Sequence, residues 1–336
     1  MNEKMKRPAD EILASVNPVK SAKKYDQTWQ EFIKYSGINQ GTKPTEENYL
    51  QFFDYLKNIK KYACSTIWSS YSKLNHKHQI YFGEKLQIYP RITHLLKSYE
   101  SGYIRKTAKA FSKEEIDRYL ESAPDSEDHV HIKVAVILGY FGGLRCADLI
   151  SINCDDCDFN ENTGMWVTYT VSKQRGEEIK NKFNIPLHYC QYLENYDHAL
   201  YRCNASEGRL FKTYRKRQDG STYYTKQPMG IHLIRKFTVK VAEFLNLPNA
   251  ELYTGHSLRR SGANTLAEAG VSTTQLKKHF NWKNEGTALR YVDNTESSKL
   301  SISKSMNSDQ TSRSGVVDNV TKTLHVENCS NIIINF

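Results

Sequence analysis

An unbroken apolar run, Val134-Ala-Val-Ile-Leu-Gly-Tyr-Phe141, meets two glycines and then an arginine, Gly142-Gly-Leu-Arg145. A run of this length reads as a buried helix, and paired glycines let the backbone turn sharply before a second helix begins. Arg145 therefore emerges from the core on a rigid mount. Further along stands Tyr253-Thr-Gly-His256-Ser-Leu-Arg259-Arg-Ser-Gly-Ala, followed by Trp282 and Tyr291. His256 and Arg259, three positions apart, fall on one face of a helix. They can grip one phosphate together, and a tyrosine on a later helix can attack it. Alone, H-x-x-R is a pattern that chance supplies freely, so its weight comes from the positions around it.

Between the two arginine sites lies Met165-Trp-Val-Thr-Tyr-Thr-Val-Ser-Lys173-Gln-Arg-Gly176, a β-branched and aromatic run leading into a polar turn. A second run, ending at Pro186, follows. The pair reads as a β-hairpin over residues 163–187 with Lys173 near its tip. This order is Arg after a Gly-Gly turn, Lys on a hairpin, H-x-x-R, Trp, then Tyr. It resembles the catalytic domain of the tyrosine recombinases, the phage-integrase-like superfamily, over residues 111–293. Within it, Thr254-Gly-His-Ser-Leu-Arg-Arg-Ser-Gly-Ala-Asn264, Leu276-Lys-Lys-His279-Phe-Asn-Trp282 and Leu289-Arg-Tyr291-Val most resemble the crypton transposases and the eukaryotic host genes derived from them.

The resemblance implies a fold that is mainly α with a small β-hairpin or sheet. A helical core-binding domain and a catalytic domain would together form a C-shaped clamp around double-stranded DNA, usually as a homotetramer. It also implies roles. Tyr291 attacks and becomes a 3′-phosphotyrosine, Arg145 and Arg259 hold the non-bridging oxygens, and Lys173 protonates the leaving 5′ oxygen. His256 accepts or returns the tyrosyl proton, and Trp282 donates its indole N–H or packs the pocket. Because the covalent link stores the phosphodiester energy, religation needs no nucleotide cofactor, and the chemistry needs no metal.

Each residue also has a plain reading. Tyr291 is one of 22 tyrosines, and an unselected tyrosine usually packs. Arg145 can pair with Asp148, Trp282 can be core, and Lys180 or Lys182 on the partner strand can take the place of Lys173. His279 rivals Trp282, but spacing to Tyr291 favours Trp282. Cys154-Asp-Asp-Cys157 has the spacing of half a zinc site, but His188, Cys190 and Cys203 are badly spaced for the other half. A DNA-binding host protein that inherited the fold and no longer cuts is the alternative function. Type IB topoisomerases share similar chemistry, but Gly-Gly-Leu-Arg145 and the helical first domain look more like the recombinases.

Charge is distributed unevenly. The formal net charge is +10, and residues 1–110 hold 19 Lys+Arg against 10 Asp+Glu, so nearly all the excess lies there. A basic segment rich in Tyr, Trp and His suits a surface that tracks phosphates, although a solvated helical face has the same composition. No apolar stretch is long enough to cross a bilayer, and the first residues lack the apolar core of a signal peptide. Seven cysteines, an odd number without framework spacing, fit a reducing compartment. A soluble, intracellular protein is expected, nuclear if the crypton resemblance holds.

The expected organisation is a flexible lead-in (1–17), a helical core-binding domain (18–110), the catalytic domain (111–295), a disordered linker (296–323) and a β-prone interaction segment (324–336). The first domain reads as four helices carrying Tyr25, Trp29, Phe32 and Ile33; Tyr49, Phe52, Phe53 and Leu56; Trp68, Tyr71 and Leu74; and Ile92, Leu95, Leu96 and Tyr99. Gly37 stops the first. Ser112 with Glu115 and Ser272 with Gln275 read as capping boxes. Residues 188–248 read as helices around a basic loop, Arg209 to Lys226. The final segment, ending Asn331-Ile-Ile-Ile-Asn-Phe336, is a lone strand that needs a partner, plausibly a second copy of itself.

Overall fold

A computed structural model describes residues 21–307 apart from 40, 104–106, 127, 175–176, 220–221 and 294. The lead-in at 1–17 and the β-prone segment at 324–336 lie outside the described residues. The chain divides into two compact units, residues 1–105 and 106–336.

The first unit is built from α1 (Ala22–Ser36), α2 (Glu46–Asp54), α3 (Cys64–Phe82) and α4 (Pro90–Glu100). Gly37, at φ 64°, ends α1 in the left-handed conformation that glycine adopts without cost. Thr45 and Asn48 form a reciprocal capping box that starts α2. The apolar stripes converge on one core in which Phe32, Tyr49, Phe52, Phe53, Leu74 and Ile92 are fully buried. Phe32 stacks on Tyr49 at 4.5 Å. Within this aromatic core Tyr49 shares a 2.9 Å hydrogen bond with the buried His78, whose imidazole is pushed below its ordinary value by that burial.

The second unit begins with α5 (Lys113–Ser122), whose capping box has both bonds: Glu115 N–H donates to Ser112 Oγ and Ser112 N–H donates to Glu115 Oε2. The apolar run is α6 (Val130–Phe141), which is buried on nearly every face. Around it lie α7 (Cys146–Leu149), β1 (Cys157–Asn160), β2 (Gly164–Gln174), β3 (Glu177–Ile185) and α8 (Leu187–Arg202). The strands make an antiparallel sheet in the order β1-β2-β3, with Tyr169 opposite Asn181 and a bulge between Thr170 and Ser172. The hairpin is thus one strand wider than its sequence signals, because β1, Cys-Asp-Phe-Asn, is too short to show a period.

The supposed basic loop from Arg209 to Lys226 contains a second hairpin, β4 (Lys212–Lys216) and β5 (Thr222–Pro228). Its alternation is hidden by charge on the outer positions. Lys212 and Tyr224 are its buried members, Tyr224 edge-on to Tyr196 at 5.3 Å.

The chain continues through α9 (Ile231–Ile234), α10 (Phe237–Phe244), α11 (Ser257–Glu268), α12 (Thr273–His279), α13 (Glu285–Val292) and α14 (Glu296–Asn307). Helix α14 corrects the expectation of a disordered linker from 296: the segment is polar, but Glu296–Asn307 holds no Gly or Pro to break a helix. Helix α11 lies directly on α6. Gly262 allows this, since a Cβ there would overlap the Tyr140 carbonyl, and the Tyr140 hydroxyl bonds Thr265 Oγ1 at 2.9 Å.

Candidate active site

Arg145 stands at the N-cap of α7. Its backbone N–H donates to Asp148 Oδ2 at 2.9 Å, and its guanidinium Nη1 lies 3.9 Å from the same oxygen. Asp148 therefore fixes the mount and leaves the guanidinium close to half exposed. Gly143 sits at φ 58°, where a Cβ would overlap the Phe280 ring. The double-glycine turn thus does two things: it reverses the chain ahead of Arg145, and it lets Phe280 close against the backbone.

Arg259, on the first turn of α11, is buried. Its Nη1 donates to the Gly143 carbonyl at 2.6 Å and its Nη2 to the Phe280 carbonyl. Both acceptors are neutral carbonyls, so among the described residues no carboxylate bonds this guanidinium. Burial, then the Arg145 guanidinium, lowers the Arg259 pKa to about 10, against weaker pulls upward from Tyr169, Asp148 and Tyr291. Two arginines close enough to repel, one of them desolvated, are a site short of an anion.

His256 occupies the N-cap of α11 and is exposed. Crowding by its neighbours, then Arg145 and Arg259, pushes the imidazole below its ordinary value. It is therefore neutral at neutral pH and free to accept a proton.

Trp282 is delivered by the end of α12. Asn281 takes the left-handed conformation at φ 49°, Trp282 N–H donates to the Lys277 carbonyl at 2.9 Å and Asn281 N–H to the Lys278 carbonyl at 3.2 Å. This is a Schellman motif, for which Asn is a good left-handed residue. It puts Phe280 and Trp282 on the same side, stacked at 4.8 Å, and Trp282 in turn lies flat on Tyr291 at 5.2 Å with 4° between the planes. Arg259 flanks this column, its guanidinium carbon 5.4 Å from the Phe280 ring and 5.6 Å from that of Trp282. Tyr291, in the last turn of α13, is half-buried.

His279 faces elsewhere. Its Nε2 bonds the Phe141 carbonyl at 2.8 Å, and burial pushes its imidazole below the ordinary value. The backbone of Lys173 lies on β2 opposite Glu178; its side chain lies outside the described residues. Lys180 and Lys182 are exposed, and the Lys182 ammonium sits over the Trp166 ring at 5.1 Å. Among the described residues no cluster of His, Cys, Asp and Glu could hold a metal ion, and burial pushes the Cys157 thiol up to about 12.

Residues that sequence reading passed over also belong here. Phe280 is the base of the aromatic column. Tyr169, buried on β2, accepts a 3.2 Å hydrogen bond from Asn181 Nδ2, and its phenol feels Asp148, Arg259 and Arg145. Alternation along β2 was a signal that Tyr169 points inward, but nothing local announced which side chains it would meet. Arg235, directly after α9, lines one cavity with Arg145 and His256.

The phage integrase family profile matches residues 109–298, more than half the chain. The chain belongs to the phage integrase family of tyrosine recombinases. Its fold is similar to that of the Tn1549 transposon integrase in complex with transposon right end DNA (TM-score 0.57, 15% identity, covering 89% of this chain and 98% of that one). It is also similar to XerH site-specific recombinase bound to palindromic difH substrate in a post-cleavage complex (0.54, 13%, 86% and 80%). A third likeness is to a lambda integrase dimer bound to a COC′ core site (0.51, 15%, 85% and 93%). No curated protein matches the chain by sequence. Among the described residues no helix is long and apolar enough to cross a membrane.

Proposed function

We propose that this chain cuts and rejoins DNA strands through a 3′-phosphotyrosyl intermediate on Tyr291. The observation that carries the reading is Arg259, a buried guanidinium bonded among the described residues to carbonyls alone, flanked by the column that ends in Tyr291 and within the field of Arg145. A phosphodiester supplies the missing anion. Arg145 and Arg259 hold its non-bridging oxygens and stabilise the charge that gathers there in the transition state. Tyr291 Oη attacks phosphorus while its proton passes to neutral His256. The bond to the 5′ oxygen breaks, and that oxygen takes a proton from Lys173. Trp282 holds the tyrosyl ring flat. Rejoining runs the same steps in reverse with a new 5′ hydroxyl, so no nucleotide or metal is consumed.

The finer reading is a crypton-like transposase that acts as a homotetramer on double-stranded DNA in a eukaryotic nucleus. It rests on the wording of residues 254–264, 276–282 and 289–292. Family membership and likeness to DNA-bound recombinases and a transposon integrase support the coarser activity.

The test is a pool of duplexes with randomised cores and a nick just beyond each candidate cleavage position, so that the released fragment diffuses away and rejoining fails. Protein that migrates with labelled DNA in a denaturing gel supports the proposal. A pool that binds but leaves no adduct at any time point contradicts it.

A further inference from the structure

Beside the reaction centre lies a cavity of about 470 Å³ whose polar lining includes Arg145, Arg235, Glu251, Thr254 and His256. Its volume falls within the range that ligand sites occupy. Two guanidinium groups share it with one carboxylate, so it is net positive even with His256 neutral. Arg145 leans on Asp148 at 3.9 Å, whereas Arg235, exposed, is in no ion pair among the described residues. Glu251 lines the same space without pairing with either arginine.

Arg235 lies against the turn that carries His256. It follows α9 directly, and its stem passes over Gly255, the residue before His256; a Cβ on Gly255 would meet Arg235 Cγ at 3.9 Å and overlap Cys146 Sγ. The missing side chain at Gly255 is what lets Cys146, next to Arg145, close on this turn, with the Arg235 stem in ordinary van der Waals reach of the same point. The Arg235 charge reaches this floor, opposing the rise that burial imposes on the Cys146 thiol.

We propose that this cavity is a second phosphate subsite, in which Arg235 binds the phosphodiester next to the scissile one. The inference rests on the strand-cutting reading above. With the scissile phosphate between Arg145 and Arg259, the strand continues past Arg145, and its neighbouring phosphate meets the Arg235 guanidinium. A bidentate arginine on that phosphate positions the strand without reading a base. Arg235 is thus a positioning residue: it fixes where along the backbone Tyr291 strikes.

The experiment uses full-length protein and one duplex selected for binding from the randomised pool, in versions carrying a single neutral methylphosphonate at each phosphate in turn. Binding is read by fluorescence anisotropy and adduct formation by single-turnover gel. On unmodified DNA, Arg235→Ala should raise the half-saturating DNA concentration roughly tenfold, the loss expected for one charge-assisted contact, and Arg235→Lys should restore part of it. At one position the methylphosphonate should weaken the wild type by a similar factor and leave Arg235→Ala no weaker than before. At every other position the two losses should multiply. Losses that multiply at all positions, or an Arg235→Ala protein that binds like the wild type, overturn the subsite. The binding arm needs no cleavage: absent adducts with intact coupling would sink the strand-cutting reading and keep the subsite. Wild-type protein that binds none of these duplexes would sink both. An unchanged urea midpoint for Arg235→Ala confirms that the effect is local.

Discussion

Gly143→Ala should damage the site out of proportion to one methyl group. Gly143 sits at φ 58°, a conformation that costs an L-residue about 1–2 kcal/mol. The new Cβ would also overlap the Phe280 ring, and overpacking a filled core costs typically about 1–3 kcal/mol. Phe280 is fully buried, and the two costs add to roughly 3 kcal/mol. The displaced ring carries Trp282 and Tyr291 with it through the stack, and the Gly143 carbonyl that holds Arg259 moves too. A shift of about 1 Å at a reacting atom costs on the order of a hundredfold in rate. Urea unfolding gives the stability, and the single-turnover rate of adduct formation gives the site's geometry. Phe280→Leu tests the cause. If the clash is the mechanism, the double variant is more stable than the sum of the single losses by about 1–2 kcal/mol, while its adduct rate stays low because the stack has lost its base. A Gly143→Ala protein with wild-type midpoint and rate, or strictly additive losses, would refute the reasoning.

Three further outcomes follow from the same geometry. Lys173→Ala should lose adduct formation on ordinary DNA and regain it when sulfur replaces the 5′ bridging oxygen, since a thiolate departs without a proton; Arg145→Ala and Arg259→Ala should not be rescued, and rescue of Lys180→Ala or Lys182→Ala instead would move the acid to β3. By NMR, the His256 ring should titrate below about 6.5. Arg145→Gln should raise that midpoint, because the folded site resists a further positive charge and protonation begins only as pH falls past the ordinary value; a midpoint at or above the ordinary value contradicts this. Residues 18–110, with their own core, should bind duplex DNA with steep salt dependence and weak sequence preference; salt-insensitive binding would mean that the excess charge there only solvates.

What was legible in the sequence was local. The Gly-Gly turn after an apolar run, the Ser112 and Ser272 capping boxes and the Gly37 stop are each decided by a few neighbouring residues, and each is present. The ordered set Arg145, Lys173, His256, Arg259, Trp282 and Tyr291 was named from its resemblance to the tyrosine recombinases, since no single member is announced by its neighbours. What was not legible depends on distant partners. Strands β1 and β4–β5 are short or charged, so their alternation is weak, and pairing partners decide them. Helix α14 was misjudged from polar composition alone. Tyr169, Phe280 and Arg235 resemble many other aromatic and basic residues until α7, α11 and the sheet are brought together. Spacing to Tyr291 already favoured Trp282 over His279; in the structure His279 bonds the Phe141 carbonyl and Trp282 lies on Tyr291.

The central claim is a covalent bond between Tyr291 and DNA. Trapped adducts can be digested with nuclease and trypsin and the peptides sequenced by mass spectrometry. Cleavage after Arg290 and Lys299 yields Tyr291–Lys299, a peptide with a single tyrosine. A nucleotide remnant on that peptide, together with loss of all adduct in Tyr291→Phe at DNA affinity within a few-fold of wild type, is the expected result. A remnant on another tyrosine, or undiminished adduct from Tyr291→Phe, would contradict the account.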